Sequence, residues 1–164
     1  MSDVLTFDLI VIGSGPAGQR AAVQAAKLGK KVLIIEKEKI GGSCLHLGTV
    51  PSKALREAAM SVVSSDALNF SALMNRKKQV IELEAKVLEN QIQRNHVSFC
   101  KGEAHFVSTS EVMLADGNRF RSPKIIIAVG TSPSRLENIS FDHQYVRDSD
   151  SILSLNKLPR NMAV

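Results

Sequence analysis

Apolar residues gather in short runs at 9–12, 32–35 and 125–129, each bounded by glycine or polar residues. Runs this short and continuous are the pattern of parallel strands covered on both faces, since half-solvated strands alternate. The first run, from Asp8, passes directly into Gly13-Ser14-Gly15-Pro16-Ala17-Gly18. Ala21, Ala22, Ala25, Ala26 and Leu28 then recur at helical spacing, with Gly29 placed as a C-terminal cap. Residues 31–36 follow as the second strand. These three pieces predict a βαβ unit with a right-handed crossover.

Residues 37–50 read as a glycine-containing loop, with Pro51 opening a helix over 52–65. Asn69 or Ser71 is placed to cap a longer helix running to Asn95. Its apolar positions, Val80, Ile81, Leu83, Val87, Leu88 and Ile92, form one stripe, which predicts a packing surface. From residue 97 the period changes to that of strands, over 97–107, 111–114 and 119–122. Ser108-Thr109-Ser110 and Asp116-Gly117 supply the turns. A buried strand over 124–130 ends at a glycine turn. The tail from 135 is loop-rich, with a short helical stretch at 150–155. The expected fold is therefore α/β: a parallel sheet with helices, an inserted long helix and an antiparallel β-meander.

Composition narrows the function classes. A chain of 164 residues, 44% hydrophobic, has room for about one domain with a real core. The net charge of +5 hints at nucleic acid, but the basic residues are spread along the chain. With aromatics at 4% and no tryptophan, stacking platforms are scarce, so no nucleic-acid partner is expected. No apolar run reaches the length of a membrane span, so no membrane association is expected. The N-terminus lacks the basic region of a secretory signal. Two cysteines, Cys44 and Cys100, make no disulfide framework and suit a reducing cytoplasm. His46, His96, His105 and His143 stand at no metal-ligand spacing with either, so no metal is expected.

The glycine turn carries the first candidate chemistry. A lone G-x-G-x-x-G is a weak signal, but this one follows a strand and opens a helix. Glu36 lies eighteen residues beyond Gly18, at the end of the next strand. That is the setting a dinucleotide fingerprint requires. Gly13 permits the tight turn, Gly15 lets backbone approach a pyrophosphate, and Gly18 lets helix and strand pack closely. The helix N-terminus offers N–H groups to phosphate, and Glu36 is placed to accept ribose hydroxyls. A carboxylate there repels a 2′-phosphate, which favours FAD or NAD over NADP; the fingerprint alone does not separate those two.

Residues 41–55, Gly-Gly-Ser-Cys-Leu-His-Leu-Gly-Thr-Val-Pro-Ser-Lys-Ala-Leu, resemble the active-site segment of the flavoprotein disulfide reductases. That family includes dihydrolipoamide dehydrogenase, glutathione reductase and mercuric reductase, and holds two redox cysteines in this segment. Here Cys44 stands at the first and Thr49 at the second, so the dithiol chemistry is absent. The pattern, together with 148–153, is similar to the soluble pyridine nucleotide transhydrogenases, which pass hydride between NADH and NADP⁺ through FAD alone.

The resemblance implies a Rossmann-like FAD-binding domain, with NAD(P)H as substrate of the complete protein. It places cofactor contacts at Gly13, Ser14, Gly15, Pro16, Ala17, Gly18, Glu36, Lys37, Gly41, Gly42 and Ser43. Cys44 falls beside the flavin, and Lys53 matches a lysine near flavin N5, making these the candidate catalytic residues. Ala104 matches a backbone contact to adenine, and Ala128 and Gly130 the strand end that returns to the cofactor. The resemblance also implies an incomplete FAD-binding domain over 1–159, lacking its return segment, and the start of an NAD(P)-binding domain over 160–164. Such a piece is expected to be inactive alone and the full protein homo-oligomeric. The alternatives are a dihydrolipoamide dehydrogenase-like flavoprotein lacking the second redox cysteine, and a non-catalytic nucleotide-binding module.

Overall fold

The computed structural model describes residues 4–62 and 69–164. In chain order its elements are β1 (Leu5–Thr6), β2 (Leu9–Ile12), α1 (Pro16–Lys27), β3 (Val32–Glu36), α2 (Gly42–His46) and α3 (Thr49–Val62). Then come α4 (Phe70–Arg94), β4 (Ser98–Lys101), β5 (Ala104–Ser108), β6 (Glu111–Leu114), β7 (Arg119–Arg121), β8 (Ile125–Ile127) and a 3-10 turn, Ser151–Ser154. The fold is the α/β, Rossmann-like one expected. Two compact units are distinguished, one of residues 4–43 and 85–130, the other of 44–62, 69–84 and 131–164.

The first unit holds a parallel sheet in the order β4-β3-β2-β8 and a second sheet in the order β1-β7-β6-β5. Alternation along the strands divides its core in two. Ile10, Leu33 and Ile35 meet Val112, Leu114 and Phe120 of the second sheet. Leu9, Val11, Val32 and Ile34 point the other way, onto Ala22 of α1 and Ile92 of α4. The small inward residues of α1 let the helix lie close to the sheet, as Gly18, Ala22 and Val23 are all buried. Within the meander, buried Glu111 binds Arg119 at 2.7 Å and Arg121 at 2.8 Å. The Arg121 hydrogen bond leads the effects that hold its carboxyl below the usual glutamate value.

In the second unit α3 and α4 line a groove of about 770 Å³ that includes Val50, Lys53, Ala54, Leu73 and Arg76. Lys77 of α4 donates to the carbonyl of Leu153 at 2.6 Å, holding the 3-10 turn. Arg135 pairs with Asp148 at 2.6 Å, and Asp148 accepts the Ser151 N–H at 2.8 Å.

Several boundaries differ from the expected ones. The strand expected over 97–107 is two strands in different sheets, β4 beside β3 and β5 beside β6. The chain turns between them at Gly102-Glu103, where the Gly102 N–H donates to the Glu36 carbonyl at 2.9 Å. The loop expected over 37–50 contains α2, and α3 starts at Thr49, two residues before Pro51. Proline fits anywhere in a first turn, because those N–H groups have no intrahelical partner in any case. Residues 63–65 of the expected helix lie outside the described residues. Asn69 caps α4, its Oδ1 accepting the Ala72 N–H at 3.2 Å. The apolar stripe of α4 is core only in part: Ile92 is buried, while Leu83 and Val87 are exposed. β8 is not a buried strand, since it forms the sheet edge and Ile127 is 63% exposed. Strand β1, pairing with β7, escapes the sequence pattern because two residues carry no period.

Two outcomes are expected. Glu111→Gln should destabilise the chain at neutral pH in urea unfolding. A depressed carboxyl contributes fully above the ordinary glutamate value and loses its contribution as pH falls through the depressed one, so the deficit should close on acidification. The exposed apolar edge at β8 should let residues 1–164 self-associate, and Ile127→Lys should reduce this in sedimentation velocity, because a charge on an apolar sheet edge opposes edge-to-edge pairing.

Candidate functional site

The carboxyl ends of β2, β3 and β8 converge at the glycine turn, the side on which open parallel sheets bind ligands. Gly13 donates its N–H to the Ile35 carbonyl at 2.8 Å, and Ala128 donates to the Ile12 carbonyl at 2.8 Å. Gly13 has φ +101°, and a Cβ on it would strike the Ala128 carbonyl. A Cβ on Gly18 would strike the Gly13 carbonyl, so α1 can start this close to β2 only with glycine there. Gly15 is different, because nothing lies within 4 Å of its missing Cβ.

Gly15 is the N-cap of α1, Pro16 follows at the first turn, and no side chain caps the helix. No acidic residue occupies that turn. Pro16 and Ala17 are exposed, whereas Gly18 is buried against the turn. The backbone of Gly42 comes up to Gly15, since a Cβ on Gly42 would sit 3.2 Å from the Gly15 Cα. Gly41 fastens this second loop by donating its N–H to the Ser14 carbonyl at 3.2 Å.

Glu36 closes β3 and is 8% exposed. Its Oε2 accepts the Ser14 N–H and the Ser14 hydroxyl, each at 2.8 Å, and its Oε1 accepts the Glu38 N–H at 2.9 Å. Burial alone would raise its pKa. The Glu38 and Ser14 N–H groups, the Ser14 hydroxyl and the Lys37 N–H outweigh that cost and hold the carboxyl below its usual value, ionised. The first unit thus brings together residues 13–18, Glu36, Lys37, Gly41, Gly42 and Ala128. Ala104 opens β5 just after Gly102, which is bonded to Glu36, and Gly130 (φ +72°) follows Ala128 by two residues. Ser43 is exposed on α2 at the end of this unit.

Cys44, Thr49 and Lys53 belong to the second unit. Cys44 is half-buried on α2, and Thr49 and Lys53 are exposed on α3, where both border the groove. Cys44 and Cys100 are both free thiols. Among the described residues no helix is long and apolar enough to cross a membrane, and no group of His, Cys, Asp and Glu is disposed to hold a metal ion. Gln19 escapes the sequence pattern, although its buried amide donates to the Ser14 carbonyl. Its only signal is a polar side chain on the otherwise small, buried face of α1.

The family model described as pyridine nucleotide-disulphide oxidoreductase matches residues 7–164. The chain is 38% identical, over 96% of its length, to a soluble pyridine nucleotide transhydrogenase of Mycobacterium tuberculosis. It is 39% identical, again over 96%, to one of Vibrio cholerae. It covers 38% of the length of each, so it spans well under half of these relatives. Among solved structures, the HOCl-induced flavoprotein disulfide reductase of Escherichia coli superposes with a TM-score of 0.82 at 25% identity, covering 93% of this chain and 35% of that one. Matched along nearly its whole length, the chain belongs to the pyridine nucleotide-disulphide oxidoreductase family.

Proposed function

We propose that this chain binds FAD as part of a flavoenzyme that passes hydride between nicotinamide nucleotides, the activity of a soluble transhydrogenase. The observation that carries the reading is the cradle at Gly15. The space a Cβ would fill is open there, on an uncapped helix N-terminus, and the ionised Glu36 is bonded to the adjacent Ser14. These residues fit a dinucleotide: backbone N–H groups and the helix end suit a pyrophosphate, and a carboxylate suits a ribose diol. Gly13 and Gly18 shape the turn, Gly41 and Gly42 flank it, and Ala104, Ala128 and Gly130 are assigned to its margins. When bound, FAD supplies the two-electron carrier between the nicotinamides.

The flavin side of the assignment rests on the motif of residues 41–55. Lys53 is assigned as a fixed cation that stabilises negative charge on the reduced ring system. Thr49 decides between reaction types. Disulfide reduction needs a thiolate and a second sulfur, and threonine supplies none. Hydride transfer needs neither, so Thr49 favours transhydrogenation over lipoamide or glutathione-disulfide reduction. On this reading residues 1–159 are the FAD-binding portion and 160–164 begin the nicotinamide-binding portion of a cytoplasmic, homo-oligomeric enzyme. NADPH and NADH donate, and NAD⁺ and NADP⁺ accept.

Glu36→Gln removes a charged acceptor worth about 1.5–3 kcal/mol, so FAD affinity in the full-length protein should fall roughly ten- to a hundredfold in fluorescence titration. Unchanged affinity would show that the acid faces elsewhere. Cys44→Ser in the full-length protein should retain most NADPH-to-NAD⁺ transfer in a steady-state assay. The unsubstituted protein should reduce neither lipoamide nor glutathione disulfide, and its two-electron reduction should show no long-wavelength thiolate–flavin band. Loss of transfer with FAD still bound, or appearance of that band, would sink the transhydrogenase reading.

A further inference from the structure

The two oxygens of Glu36 are unequally occupied. Oε2 receives two hydrogen bonds, both from Ser14, and Oε1 receives one, from Glu38, while the Lys37 N–H also favours the carboxylate. A carboxylate oxygen has two lone pairs, so Oε2 is filled by Ser14 and a ligand hydroxyl is left to Oε1, on the side of the Glu38 and Lys37 N–H groups. Ser14 is fully buried. Its hydroxyl gives its proton to Glu36 and accepts the Gly41 N–H at 3.2 Å. Its carbonyl accepts the Gln19 amide and the same Gly41 N–H. Every polar atom of Ser14 is therefore engaged inside the protein, and both of its donors are spent on Glu36.

We infer that Ser14 is a positioning residue, which occupies Oε2 so that Glu36 turns Oε1 rather than Oε2 to a ribose hydroxyl, and which couples that carboxylate to the loop at Gly41 and Gly42. The inference rests on the reading of Glu36 as the ribose acid. A short side chain suffices because Ser14 follows Gly13 in the turn and meets Glu36 with two donors from one residue. An alanine would retain the N–H bond, leave Oε2 with one donor and free the carboxylate to rotate. The ionisable groups of the elements around Glu36 are Lys37, Glu38 and Lys39 beyond its own strand, Lys101 opposite it and Cys100 beside that on β4, and Arg20 and Lys27 on α1. The charged ones are exposed and Cys100 is half-buried, and hydrogen bonds rather than these charges offset the burial of Glu36.

The test reads Glu36 directly. In the full chain labelled with ¹³C at glutamate Cδ, the Glu36 resonance is assigned by its loss in Glu36→Gln and titrated with and without Ser14→Ala. Loss of one charge-assisted donor should raise the midpoint by about one pH unit. An unmoved midpoint in a folded Ser14→Ala chain overturns the inference. If that variant does not fold, Ser14→Cys, nearly isosteric but a poor donor, takes its place under the same criterion. The second arm measures FAD affinity in the full-length protein, where Ser14→Ala should weaken binding about tenfold. Combined with Glu36→Gln it should weaken binding no further, because Ser14 acts through Glu36. Independent, additive losses overturn the positioning role. If no form binds FAD while the Glu36 midpoint still moves, the FAD reading falls and the coupling of Ser14 to Glu36 stands.

Discussion

Between the Gly13 backbone and the carbonyl of Ala128 there is no room for a single additional carbon atom. This contact joins the ends of two neighbouring strands, and the Gly13 N–H joins the third through Ile35. Gly18 repeats the exclusion within the first turn of α1, against the carbonyl of Gly13 itself. The helix therefore starts where the strands stop, and its free end points across the carboxyl edge of the sheet. The position of Ser14, the burial of Glu36 and the approach of Gly42 to Gly15 all follow from that crowding. Gly15 stands in contrast to the others, being a glycine with open space around its missing side chain.

Much of this was legible in the chain because the interactions involved are local. The strand Leu9–Ile12, the glycine turn, the alanines of α1 and the strand ending at Glu36 lie within thirty residues, and the spacing of each is periodic. Other features depend on partners distant in sequence. The run over 97–107 reads as one strand because nothing local to it says that Ser98–Lys101 joins β3 while Ala104–Ser108 joins β6. Leu5–Thr6 is a strand only through its partner β7. Ile125–Ile127 is apolar enough to be covered on both sides, yet it lies at the sheet edge. The site shows the same division: the candidate glycines and Glu36 follow from spacing, whereas the double hold of Ser14 on Glu36 requires the two side chains to be seen together.

Membership of the pyridine nucleotide-disulphide oxidoreductase family and the identity of residue 49 pull in different chemical directions. The family's description names disulphide, and a solved relative is named a disulfide reductase. On the function proposed above, the threonine on the first turn of α3 stands where such chemistry needs a second sulfur. The Glu36 carboxylate is held by Ser14 and Glu38, whatever residue stands at 49. A binding scaffold and the reaction carried out beside it can therefore diverge separately.

The turn at Gly102 gives the meander a mechanical role. Its N–H holds the carbonyl of Glu36, and two residues later the same chain enters the antiparallel sheet. Hinges need a joint with slack, and two residues anchored at both ends leave very little. The meander is thus a buttress for the end of β3: any tilt of that sheet would be felt first at the backbone of the acid residue. Sequence drift in its outer loops, at Ser108–Ser110 or Asp116–Gly117, would leave that brace untouched, whereas a lengthened crossing at Gly102 would release it.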